Sequence, residues 1–215
     1  MTDVSPLYGL RLRTTRLELR LGDRDELESL ARLAIAGIHP PDEMPFGVAW
    51  TDASHQPGFT EDFVAFHEQA LGAWAPERWA LHLLAFADGA PVGTQSVSAT
   101  GFRTERAVQT GSWLGVASQG RGLGTEMRAA VLQLAFGALG ARVARSGWLE
   151  SGAAQSARVS ARLGYREVGT HLLHPRGTPV VHHDLLLEQP EWTCPLPVEL
   201  LGVEPCLALF GAAPG

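Results

Sequence analysis

The segment from Trp113 to Thr125 reads WLGVASQGRGLGT: an apolar run, three glycines at alternate positions, then the start of a helical pattern. Few folds accept it, because a strand must stop, turn tightly and hand over to a helix. With glycine at 120, 122 and 124, no Cβ keeps successive backbone N–H groups away from an anion. The helix that follows adds the positive end of its dipole. Hydrogen bonds to charged oxygens, each worth about 1.5–3 kcal/mol, could together hold a pyrophosphate without a lysine. Arg121 and Arg128 can supply local positive charge. The dinucleotide fingerprint G-x-G-x-x-G fails, since its last position is Thr125 counted from Gly120 and Met127 counted from Gly122. A tight turn with no ligand is the other reading, and glycines alone do not choose between them.

The missing residue types narrow the function. All 17 basic residues are arginine; the chain has neither lysine nor asparagine. Schiff-base and pyridoxal-phosphate enzymes, P-loop phosphate binders and protein kinases are excluded, because each needs a lysine amine. N-linked glycosylation is excluded too. The net charge of −6 argues against a nucleic-acid backbone as partner. A length of 215 residues points to one domain, expected over residues 1–188, with a Pro-rich appendage at 189–215. Cys194 and Cys206 fit buried thiols better than a disulfide framework. The N-terminus lacks the pattern of a signal peptide, and the apolar stretch Ala129 to Ala144 is too short for a membrane span. A soluble, cytoplasmic protein is expected.

Along the chain, Leu10 to Leu21 reads as a strand, with apolar and charged residues alternating from Leu17 onward as in a half-buried strand. Asp23-x-x-Glu26 resembles a capping box ahead of a helix ending at Gly37. The Pro-rich loop His39 to Asp52 carries Met44, Phe46 and Trp50, which either plug the core or line a pocket. A second helix is expected at Thr60–Leu71, then strands at 79–87 and 92–99 around Asp88-Gly89, a strong hairpin signal. A strand at 108–116, a helix at 125–139, a strand at 141–149, a helix from Ala153 to Leu163 closed by Gly164, and strands at 165–173 and 179–187 complete the order. Strands and helices in this order give an α/β or α+β fold with a mixed sheet and helices packed on it.

Gln119-x-x-Gly122-x-Gly124 matches Q/R-x-x-G-x-G/A and resembles motif A of the GNAT acetyltransferase superfamily, whose loop holds the pyrophosphate of coenzyme A. Several flanking segments are similar to the RimJ/RimL-like branch. They are Leu12 to Leu17, Gly111 to Gly115, Gly124 to Ala130, and Ser156-x-x-Val159-x-x-Arg162-Leu163-Gly164-Tyr165. Met44-Pro45-Phe46 through Trp50 resembles a bacterial subgroup that includes succinyl-CoA users. The resemblance covers residues 10–188. It implies a mostly antiparallel central sheet flanked by helices, and an acyl-CoA, acetyl-CoA first, as co-substrate. The implied cofactor contacts are Leu114, Val116, Gln119, Gly120, Arg121, Gly122, Leu123, Gly124, Thr125 and Ser156. Relatives commonly carry an asparagine before the helix near Ala153. Gly152 and Ala153 stand there, leaving the N-cap to Ser151.

Acyl transfer from a thioester needs a neutral amine, a donor for the oxyanion and a departing thiolate. The resemblance implies that backbone N–H groups of 113–116 hold the thioester carbonyl. Ser160 matches the place where relatives set a hydroxyl near the thiolate; a hydroxyl bonded to its own helix is the alternative. Glu150, at a strand end, is a candidate base, or else a solvated carboxylate. His171, His174, His182 and His183 are further candidates; the adjacent pair 182/183 alternates faces, and the spacing indicates no metal site. Met44, Phe46 and Trp50 would wall the acceptor site. The acceptor is a small-molecule or peptide amine, with no nucleic acid and no membrane involved. A homodimer, a non-catalytic acyl-CoA-binding module and a plain structural domain remain open from sequence.

Overall fold

The computed structural model describes residues 2–152 and 154–212. A short hairpin, β1 (Arg11–Arg13) and β2 (Glu18–Arg20), leads into α1 (Arg24–Ala36) and α2 (Phe59–Gly72). Then come β3 (Arg78–Ala87), β4 (Ala90–Thr100), the one-turn α3 (Phe102–Glu105) and β5 (Ala107–Leu114). The second half holds α4 (Leu123–Leu132), β6 (Val143–Leu149), α5 (Ala154–Arg162), β7 (Arg166–Leu173), β8 (Val180–Glu188) and β9 (Glu199–Leu201). One nine-stranded sheet runs in the order β7-β8-β6-β5-β4-β3-β2-β1-β9. Every pairing is antiparallel except β5 with β6. This is the mixed, mostly antiparallel architecture with flanking helices that the sequence implies.

The two faces follow from the period of two in β3. Leu84 and Phe86 pack with Leu27, Leu30, Phe63 and Val64 of α1 and α2. Leu81, Leu83 and Ala85 pack with Met127, Val131 and Leu132 of α4. Local signals set several boundaries. Asp23 accepts from the Glu26 N–H and Glu26 reaches back to the Asp23 N–H, so α1 begins where the capping box predicts. Asp88 and Gly89 both have positive φ, at 50° and 80°, as a tight hairpin turn requires. Beyond Leu132, α4 widens into a π-helical stretch, Gln133–Ala138.

Two expectations change. Leu10 to Leu21 is not one strand. Thr14 closes a turn, its N–H donating to the Leu17 carbonyl at 2.9 Å and its hydroxyl accepting from the Leu17 N–H at 3.0 Å. A period of two cannot reveal a turn made by a side chain. The tail beyond Glu188 is no appendage: β9 pairs with β1, with Leu200 opposite Leu12. Cys206, Leu209, Phe210 and Ala212 are buried in the main core. Its prolines suggest an extended run, and its apolar residues, though plentiful, are broken up by Pro195, Pro197, Gly202 and Pro205 before any helical or strand period is established. Cys194 and Cys206 are both free thiols.

The feature that positions the site is a gap. Strands β5 and β6 pair over only three positions, Ala107/Val143 to Gln109/Arg145. Beyond Gln109, β5 continues alongside β4, and β6 alongside β8. The two strands therefore diverge and open a cleft of about 510 Å³, roofed by α4 and α5.

Candidate active site

The glycine loop lies at the head of this cleft. Gly120 and Gly122 have φ of 71° and 81°, the left-handed region that side chains avoid. Gly124 is different: a Cβ there would meet Val159 and Leu114 at ordinary contact distance. Among the described residues, the backbone N–H groups from Gly120 to Thr125 have no backbone partner. Thr125 Oγ1 is buried without a partner. A bare helix N-terminus with an orphaned hydroxyl suits a phosphate. The loop is braced from behind. Burial pushes the Glu126 carboxyl up, but bonds from Thr14 and Arg16 outweigh it and hold its pKa low. Arg16 Nε donates to Glu126 at 2.8 Å, and its Nη1 donates to the Arg121 carbonyl at 2.9 Å. The Thr14-Thr15-Arg16 run thus fixes the loop's backbone.

Gln119 is part of the same scaffold, its Nε2 donating to Ile38 O at 2.7 Å and to Leu114 O at 2.8 Å. The Val116 N–H is committed to the Gly37 carbonyl at 3.2 Å, and its side chain points to solvent. Of the expected contacts, Leu114, Gln119, Gly124 and Ser156 line the cleft; Val116, Gly120, Arg121, Gly122, Leu123, Thr125 and Ser160 do not, Leu123 being buried in the core. Ser160 is buried, and its Oγ accepts from Arg128 Nη1 at 2.9 Å. Arg128 does line the cleft. Its role was legible in sequence only as general positive charge.

A second cavity, of about 610 Å³, opens on the α1/α2 face between α2 and strands β3–β5. Phe46, Trp50, Phe59, Phe63, Phe66 and Trp113 supply its walls, with His67 and His82; Asp62 is its one carboxylate. Trp50 is the hub, with ring centroids 5.4 Å from Phe46, 5.8 Å from Trp113 and 6.1 Å from Phe63. Burial, then the neighbouring His82, pulls His67 down to about 3. Burial also lowers His82. His67 is therefore neutral at pH 7.

A histidine kept neutral in the fold but protonated when unfolded favours folding above its ordinary pKa of 6.5. That stability is lost as pH falls from 6.5 toward 3. For His67 the loss between pH 6.5 and 5 is about 1.5 kcal/mol. Urea unfolding at the two pH values should show it, and His67→Phe should flatten the slope. An unflattened slope would place the acid sensitivity elsewhere.

The remaining candidates sit apart. Glu150 is outside both cavities, and its carboxylate meets His183 Nε2 at 3.1 Å. His183 stacks on Trp148 at 4.0 Å. Burial pulls His183 down, but Glu167 and Glu150 outweigh it and raise its pKa. Of the adjacent pair, His182 lines the cleft. Asp184 stands between two imidazoles, 2.9 Å from His171 Nδ1 and 3.2 Å from His182 Nδ1, the second contact lacking hydrogen-bond alignment. Strand register, not sequence spacing, brings these three together, with ligand-type atoms within 4.8 Å of one another.

Met44 is buried and lines neither cavity. Its N–H and carbonyl both bond Ser151, at 2.8 Å and 2.6 Å. The Ser151 hydroxyl thus ties down the 39–52 loop, just ahead of the helix Ala154–Arg162. The expected helix start, Ala153, lies outside the described residues. A Cβ on Gly152 would fall 2.6 Å from Glu43 Oε2, so the loop occupies the space a larger residue needs.

A family model described as "Acetyltransferase (GNAT) domain" matches residues 16–166. Among solved structures, the chain is similar to Mycobacterium smegmatis RimJ in complex with CoA-disulfide. That likeness has 19% identity and a TM-score of 0.67, covering 94% of this chain and 95% of that one. It is similar to the ribosomal-protein-S5-alanine acetyltransferase of Vibrio fischeri, with 16% identity and a TM-score of 0.62 over 85% and 98% of the two chains. It is also similar to the microcin C7 self-immunity acetyltransferase MccE in complex with acetyl-CoA and AMP, with 19% identity and a TM-score of 0.63 over 81% and 93%. At these identities the likeness is one of fold.

Proposed function

The chain belongs to the GNAT acetyltransferase family, and from that membership we propose that it moves an acetyl group from acetyl-CoA to a primary amine of low pKa, such as a peptide α-amine. The observation that carries this reading is a shared wall. Phe46, Gly111, Ser112 and Trp113 line both the strand-gap cleft and the aromatic cavity. A thioester in the first would there meet an amine in the second. The free N–H groups of Gly120 to Thr125 and the Thr125 hydroxyl would take the pyrophosphate. The half of β5 without a β6 partner offers backbone groups to the arm and the acyl carbonyl.

The second cavity supports this acceptor class. Aromatic rings and a neutral His67 favour an uncharged amine beside an apolar group. Glu150, bonded to His183, lies outside both cavities, which argues against it as the base at the junction. An α-amine needs none: at pH 7.5 roughly a third is neutral, against about one lysine amine in a thousand. Neutralising a lysine would add about 4 kcal/mol to the barrier.

The test is thiol release from acetyl- and succinyl-CoA with matched peptides whose α- or ε-amine is blocked. Acetyl transfer to the α-amine should dominate at pH 7.5. Trp50→Ala should raise KM for the peptide about tenfold, near 1.4 kcal/mol, and leave KM for acetyl-CoA unchanged. Faster ε-acylation, or a Trp50 effect on both KM values alike, would overturn the acceptor assignment.

A further inference from the structure

Arg128 carries a charge that the fold does not neutralise. Only 2% of it is exposed, and its fork reaches hydroxyls on three separate elements. Nη1 donates to Ser146 on β6 at 3.1 Å and to Ser160 on α5 at 2.9 Å, and Nη2 donates to Ser112 on β5 at 3.1 Å. The hydroxyls accept its protons without bringing negative charge. Among the described residues it has no carboxylate partner, and its Nε–H has no partner at all. The Tyr165 phenol nearby is kept protonated by its own burial. An arginine cannot shed its proton near neutral pH, and a buried ion without a counter-ion is costly. Such a site is matched only when an anion arrives.

The acyl-CoA reading, on which this inference rests, supplies two kinds of anion. The phosphates have the glycine loop. Arg128 lies five residues further along α4 than Leu123, about 7.5 Å down the helix axis, where β5 and β6 part. Of the two anions that form at the thioester, the carbonyl oxyanion has the backbone N–H groups of β5, which leaves the thiolate. Ser160, the hydroxyl expected from sequence to face the sulfur, does not line the cleft, whereas the guanidinium bonded to it does. We infer that Arg128 is a catalytic residue that stabilises the departing CoA thiolate, and that Ser160 is a positioning residue that fixes the guanidinium. The amine nitrogen forms a C–N bond to the thioester carbonyl carbon. The C–S bond breaks with its electron pair going to sulfur, the ammonium proton passes to water, and the sulfur leaves as thiolate against Arg128.

The experiment compares CoA with desulfo-CoA by calorimetry from pH 6.5 to 8.5. The other ionisable side chains lining the cleft are His39, Glu43, Arg158 and His182. Their coupling to the shared phosphates and arm cancels in the ratio, and any coupling to the thiolate persists in Arg128→Met and is subtracted with it. If binding brings the thiol pKa of CoA down to about 7, CoA should gain at least about tenfold over desulfo-CoA across that range. Arg128→Met should abolish the gain and still bind desulfo-CoA, Arg128→Lys should keep part of it, and Ser160→Ala should keep a reduced gain. If Arg128→Met does not fold, the wild-type ratio decides alone. Parallel wild-type profiles would overturn the inference while leaving the acyl-CoA reading intact. If neither ligand binds, that reading fails and the inference falls with it. A flat ratio, with a preference for succinyl-CoA that Arg128→Met removes, would assign the guanidinium to an acyl carboxylate and overturn it.

Discussion

Gly122→Val is expected to abolish binding of acetyl-CoA, with affinity falling at least about a thousandfold. The open space around position 122 is not the issue, since a Cβ there would approach nothing closer than Arg16 Nη2 at 3.5 Å. The backbone is the issue. Gly122 is the N-cap of α4 with φ 81° and ψ −2°, a conformation that costs a β-branched residue about 1–3 kcal/mol. The chain would relieve that strain by re-aiming the N–H groups of the loop. Losing three charge-assisted bonds at about 1.5–3 kcal/mol each exceeds the roughly 4 kcal/mol that a thousandfold represents. Calorimetry on a variant with unchanged circular dichroism decides it; undiminished affinity would refute the phosphate assignment of this loop.

Phe210→Ala is expected to lower stability by about 3–5 kcal/mol. The ring is fully buried and meets Trp79 at 4.9 Å and Trp74 at 5.5 Å, both edge-to-face. The surrounding backbone is used as well: Trp74 Nε1 donates to Leu209 O at 2.9 Å and Trp79 Nε1 to Phe210 O at 3.1 Å. At about 2–4 °C per kcal/mol for a chain of this size, the melting temperature should drop by about 10 °C or more. Scanning calorimetry checks it. A shift under about 3 °C would mean that the tail packs loosely.

What could be read from residues was what neighbours in sequence decide. The capping box at Asp23/Glu26, the turn at Asp88-Gly89 and the glycines at 120 and 122 each carry their geometry locally, and each appears in the fold. Contacts made across the sheet could not be read. Phe210 follows a run of prolines, and nothing near it announces Trp74 and Trp79 more than a hundred residues earlier. Met44 looked like its neighbours Phe46 and Trp50, yet the bond to Ser151 turns its side chain inward while theirs reach the cavity. Sequence places Ser160 near the sulfur and reads Arg128 only as local positive charge. A hydroxyl's place in a motif is visible in sequence, whereas the absence of a counter-ion is a property of the packed interior.

The three-residue contact between β5 and β6 makes the sheet carry an edge in its middle. Edges on the outside of a sheet invite other chains and are usually defended by charge or proline. Here the edge lies under a roof: α4 and α5 cover the gap, so whatever pairs with it must enter between helices and sheet. An arm lying in it would act as a stand-in strand, slowing amide hydrogen exchange along the far half of β5.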